Sequence, residues 1–213
     1  MKMTEQGMTF LSAWNCGGPL MWVLAGISVM VLAVALYLLV SQRMGAIAPK
    51  ELVSDVFNRL RRGDAAEARR LAERRSTAFS VIALAALDAF VGNPNGRTAR
   101  VTQAIETAGG HVADRMQASV DWLADLAAIA PLVGLLGTVL GMYQAFGGIA
   151  SDLAANARPV VLAQGVSQAI VTTVFGLAVA IPALVAHAFF RRRTARRVAQ
   201  LESIAVELES VCA

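Results

Sequence analysis

The chain has 213 residues, 56% of them hydrophobic and only 16% charged. A soluble domain of this length is rarely so apolar. The formal charge of +4 follows from arginines placed beside apolar runs, so it calls for no nucleic-acid partner.

The apolar residues are clustered. No charged residue lies between Glu5 and Arg43, between Asp125 and Asp152, or between Arg158 and Arg191. A membrane-spanning helix needs about 20 apolar residues. The expected spans are residues 19–41, 126–148 and 160–190. The third is long for one crossing, since ~30 residues of helix reach about 45 Å against a hydrocarbon core of about 30 Å.

In chain order, residues 1–18 read as a short amphipathic outer tail, with Met8, Phe10 and Leu11 apolar and Trp14 as interfacial anchor. Gly17-Gly18-Pro19 ends it and opens the first span. This span is too long for a signal peptide's apolar region and is followed by Gln42-Arg43 rather than a cleavage site. Residues 42–125 read as a helical region. An apolar stripe of Leu52, Val56, Phe57 and Leu60 marks one helix. Arg61-Arg62-Gly63-Asp64 is a turn with Asp64 as cap. Helices over 65–75 and 77–91 follow. Gly92-Asn93-Pro94-Asn95-Gly96 is a loop. A last helix from Thr98 runs into the second span, with an interruption expected at Gly109-Gly110. Residues 149–159 form a short outer loop and residues 191–213 a helical tail.

Orientation follows the lysine and arginine distribution. The long loop holds Lys50 and eleven arginines, and the tail opens with Arg191, Arg192, Arg193, Arg196 and Arg197. The second loop has only Arg158 and the N-terminal tail only Lys2. The long loop and C-terminus are therefore expected in the cytoplasm, with the N-terminus outside. Cys16 and Cys212 then lie on opposite sides and form no intrachain disulfide.

The spans carry small and polar residues in stripes. In the second, Gly134, Gly137, Thr138, Gly141, Ala145 and Gly148 share a face, which lets helix backbones approach closely in lipid. In the third, Gln164, Ser167, Gln168 and Thr172 share one face. Gly165, Ala169, Thr173, Gly176 and Ala180 form an adjacent small stripe. Such polar groups in lipid either bond a neighbouring helix or line a pore. Pro131 and Pro182 are expected to interrupt the second and third spans. No Asp, Glu, Lys or Arg lies inside any span, and His187 is the one histidine there, read as interfacial. An ion path driven by the membrane potential would then need a carboxylate from another chain. A non-conducting scaffold or small transporter subunit is the alternative. No catalytic triad, metal cluster or phosphate loop is visible, so neither an enzyme nor a cofactor or metal is expected.

The segments 130–142 (APLVGLLGTVLGM) and 164–185 (QGVSQAIVTTVFGLAVAIPALV) resemble the TolQ/ExbB/MotA family of stator proteins, most closely its ExbB and TolQ members. The Gly17-Gly18-Pro19 turn and the order of elements resemble it too. The resemblance implies an all-α polytopic protein of the bacterial inner membrane. By the same resemblance, three transmembrane helices and long cytoplasmic extensions would assemble as a pentameric ring in the membrane lipid. The ring would surround an ExbD/TolR-like single-span partner that carries the membrane aspartate. Proton flow would then power a TonB/TolA-like periplasmic protein. By resemblance, the ion-path threonines are Thr138 and Thr173, whereas the face count groups Thr172 with Gln168; the resemblance favours Thr173. Gln168 stands where ExbB and TolQ have a glutamate, so this chain keeps the shape there without the charge.

Overall fold

The computed structural model describes residue 14 and residues 17–90, 97–150 and 158–212. Within these, every regular element is a helix. They are α1 (Leu20–Ser41), α2 (Met44–Ile47), α3 (Lys50–Arg61), α4 (Ala65–Glu73), α5 (Ala78–Phe90), α6 (Arg97–Ala150) and α7 (Arg158–Cys212). The outer amphipathic tail before Trp14, the 92–96 loop and most of the second loop fall outside the described residues.

Among the described residues, three helices are long and apolar enough to cross a membrane: α1, the stretch Thr98–Gly147 and the stretch Pro159–Cys212. Their most apolar windows are only 17%, 33% and 33% buried within the chain. Side chains such as Trp22, Leu32, Leu132, Val139, Ile170 and Val185 point outward. Such a surface would be unstable in water and is ordinary against lipid.

Pro131 and Pro182 lie inside uninterrupted helices, although both were expected to break the spans. A proline removes one ladder bond and presses on the preceding turn. In a packed membrane helix, neighbouring groups compensate for that loss. Gly109 and Gly110 do not interrupt α6 either.

The chain divides into two compact units, Met1–Ala35 with Trp122–His187, and Leu36–Asp121 with Ala188–Ala213. In the first, α1 packs on α7 through Met21, Leu24 and Val171, flanked by Trp14, Val133 and Phe175. Trp14 and Trp22 meet edge to face at 5.5 Å. Gly18 has φ +67°, where a side chain is strained, and a Cβ there would also meet Gln168 Nε2 at 2.7 Å.

The second unit has a core of its own. Val56, Phe57, Phe79, Ile82, Leu87, Val101, Leu201 and Leu208 are buried together, and Phe57 stacks on Phe79 at 6.4 Å. The residues after 191, expected as a tail, are the last turns of α7 and complete this core. Between α3 and α4, Gly63 takes φ +78° and its N–H donates to the Leu60 carbonyl at 2.9 Å. This is the left-handed C-terminal cap that glycine favours. Asp64 then accepts from the Glu67 N–H at 3.2 Å, satisfying a donor the helix start would otherwise leave open. Asp64→Ala is expected to cost about 1 kcal/mol, read as a lower melting temperature of the purified protein.

Cys212 is buried in this core, and burial pushes its thiol pKa up. The thiolate is the reactive species. In a Cys16→Ser background, alkylation of Cys212 by iodoacetamide at pH 8 should therefore be much slower than that of a free cysteine. Unfolding in detergent should restore the ordinary rate, and fast alkylation of the folded protein would refute this.

Candidate ion-path site

The site is built on the antiparallel contact of α6 with α7. A Cβ on Gly134 would meet the Thr172 carbonyl oxygen at 3.0 Å and the Cα atoms of Thr173 and Gly176 at 3.3 Å. One on Gly176 would meet the Ala130 carbonyl oxygen at 2.9 Å and the Gly134 Cα at 3.1 Å. One on Gly141 would meet the Gly165 carbonyl oxygen at 2.9 Å, and one on Gly165 would collide with Ala145. These glycines are where one backbone lies on another, which is how helices associate when hydrophobicity provides no drive.

Thr172 sits at the centre of this seam. It is 0% exposed and presses its side chain into the hollow left by Gly137. Its hydroxyl donates to its own helix, to the carbonyls of Gln168 (3.1 Å) and Ala169 (2.9 Å). The seam on α7 therefore runs Gly165, Ala169, Thr172, Gly176. The face count had put Thr173 on this stripe and Thr172 with the glutamines. The two residues are only 100° apart, and a neighbour at Gly137 draws Thr172 inward.

Thr173 is half-buried at the rim of the seam, where its hydroxyl reaches across to the Gly134 carbonyl at 3.4 Å. Thr138 is also half-buried, and its hydroxyl donates to the Leu135 carbonyl at 2.6 Å. The two hydroxyls thus hang on successive carbonyls of α6. Gln168 stands apart from them, half-buried against Gly18 beside α1. This contact between residues 150 positions apart in sequence had no signal in the local pattern.

No described residue in the apolar stretches Leu20–Ser41 or 126–147, or in α7 before Arg191, is acidic. Among the described residues, no cluster of three or more potential metal ligands occurs. The site offers hydroxyls, carbonyls and an amide in an apolar setting. These groups can coordinate a cation or hydrogen-bond a carboxylate, and supply no charge themselves.

Three apolar helices with a close-packed, hydroxyl-bearing seam and exposed apolar faces define a polytopic α-helical membrane protein. The model of the MotA/TolQ/ExbB proton channel family matches residues 71–203, more than half of the chain, and the chain belongs to that family. It is 30% identical over 119 residues to the Tol-Pal system protein TolQ of Pseudomonas aeruginosa, covering 56% of this chain and 51% of that protein. It is 39% identical over 87 residues to the biopolymer transport protein ExbB of Salmonella typhimurium, covering 41% of this chain and 35% of that one. A putative ExbB homolog of Methanothermobacter thermautotrophicus is 27% identical over 200 residues, 92% of this chain and 68% of that one. The chain thus spans about half or less of the first two relatives.

Proposed function

We propose that this chain is the ring-forming subunit of a stator motor driven by the proton-motive force. The observation that carries the reading is the pair Thr138 and Thr173, two hydroxyls on successive carbonyls of α6 in spans without a carboxylate. An ion path through such a wall needs an ionisable group from elsewhere. An ExbD/TolR-like partner with a single span and a membrane aspartate would supply it, and a TonB/TolA-like protein would receive the work.

In this reading the chain sits in the bacterial inner membrane as a homo-oligomer, a pentamer by family likeness. Its arginine-rich region and C-terminus face the cytoplasm, as the positive-inside bias favours. Thr138 and Thr173 face the ion path. Thr172 holds the helix pair closed behind them, and Gln168 fixes α7 against the Gly17-Gly18 turn. The chain transports rather than catalyses.

Co-expression with an ExbD-like protein tests the assignment. A mixed complex that survives detergent purification is expected. A chain that stays monomeric and captures no such partner would sink it.

A further inference from the structure

A cavity of about 270 Å³ lies within the second unit, where α1 ends. Its polar wall comes from Tyr37, Ser41 and Gln42 at the end of α1, Ser76 just before α5, and Arg115 on α6. The lining has one guanidinium and no carboxylate. Among the described residues Arg115 forms no ion pair, so its charge is free to meet an anion.

Gln42 gives the second, independent pointer. It is 4% exposed, and its Nε2 donates to Thr194 Oγ1 at 2.7 Å. Its Oε1 is enclosed and has no partner. Exchanging the amide's oxygen and nitrogen would orphan the nitrogen instead, so one amide bond is unmet in either orientation. A buried polar group left unpaired is costly, and a bound polar group would remove that cost.

The height of the cavity indicates the source of the anion. Helix α1 is apolar through Val40, so its last turn marks where hydrocarbon gives way to head groups. Leu38, Val81 and Met116 add an apolar side to the same cavity, suited to the glycerol end of an acyl chain. A soluble phosphate would have no use for that side.

We propose that this cavity holds the head group of one phospholipid per chain. Arg115, exposed at the cavity's edge, takes the phosphate, and a turn of the enclosed Gln42 amide brings its unmet atom to the head group's ammonium or hydroxyl. Basic pockets beside membrane helices bind phospholipid in this way. The proposal rests on membrane insertion alone and not on the motor reading.

The test uses the full chain in nanodiscs of phosphatidylethanolamine and phosphatidylglycerol, extracted in mild detergent and weighed by native mass spectrometry. Retention of one phospholipid per chain is expected. Arg115→Gln should lower it about tenfold, the loss of one charge-assisted hydrogen-bonded contact. Val81→Trp should lower it by filling the cavity while leaving Arg115 in place. Arg191→Gln with Arg192→Gln should leave it unchanged. Equal retention by wild type and both cavity variants would overturn the proposal, as would equal loss in the Arg191/Arg192 variant. Displacement of the lipid by millimolar inorganic phosphate would overturn the lipid assignment and make the ligand a soluble anion. Absence of any retained lipid would overturn it too, leaving the cavity to a neighbouring copy.

Discussion

On the proposed motor reading, Thr173→Val should abolish ion-coupled work while the chain still folds and still assembles with an ExbD-like protein. Valine keeps the shape of threonine and replaces the hydroxyl by a methyl. The bond lost is the long 3.4 Å contact with the Gly134 carbonyl. A typical hydrogen bond contributes only about 0.5–1.5 kcal/mol net, and one this long belongs at the low end. That carbonyl belongs to α6 and keeps its place in the helix ladder. Stability should therefore change little. The hydroxyl's value to an ion path is larger, because a proton or cation in a low-dielectric setting loses a ligand that nothing replaces. Thr138→Val should act alike, its hydroxyl being tied only to the Leu135 carbonyl. Thr173→Ser should retain function. Thr172→Val is the informative contrast: its hydroxyl is bonded to its own helix and buried within the chain, so flux should persist. Proton flux into liposomes holding the purified mixed complex measures all four. Unimpaired flux in both Thr173→Val and Thr138→Val would leave only a scaffold role for this seam.

The spans were legible because charge is excluded from lipid, and a run without Asp, Glu, Lys or Arg is visible residue by residue. The α3–α4 turn was legible for a local reason as well. Gly63 and Asp64 each solve a problem of the helix end that occupies them, and the structure uses both that way. What escaped was whatever depends on which neighbour a face meets. Thr172 and Thr173 differ by one residue, and only the hollow at Gly137 decides between them. The Gln168 contact with Gly18 and the Gln42 pair with Thr194 join positions far apart in the chain, so no window of sequence contains both partners. The prolines misled for a related reason: the cost of a missing ladder bond is local and countable, whereas its compensation is tertiary.

Gly176→Leu should prevent accumulation of the folded protein, and the reason lies in what its side chain would strike. The nearest atoms to a Cβ at Gly176 are backbone, the Ala130 carbonyl oxygen at 2.9 Å and the Gly134 Cα at 3.1 Å. A side chain can rotate away from a clash, but a helix backbone can only move as a body. Overpacking a close-packed site costs about 1–3 kcal/mol where neighbours can adjust, so Gly176→Ala should be destabilised by that order. Leucine adds three more carbons in the same gap and must part the helices. Separation would also open the contacts at Gly137 and Gly141, so the loss approaches the whole stability of a typical domain, about 5–15 kcal/mol. Gly134 tests the same seam from the other side, because its Cβ would meet the Gly176 Cα at 3.3 Å. Once Gly176→Ala has parted the helices there, Gly134→Ala should cost less than it does alone, since contacting sites are not additive. Gly26 is the control: it lies in α1 with nothing within 4 Å of a Cβ, and Gly26→Ala should leave melting temperature and yield unchanged. Yield after membrane extraction and thermal unfolding in detergent measure the series. Equal yields for Gly176→Leu and Gly26→Ala would show that the two backbones do not lie in contact along this seam.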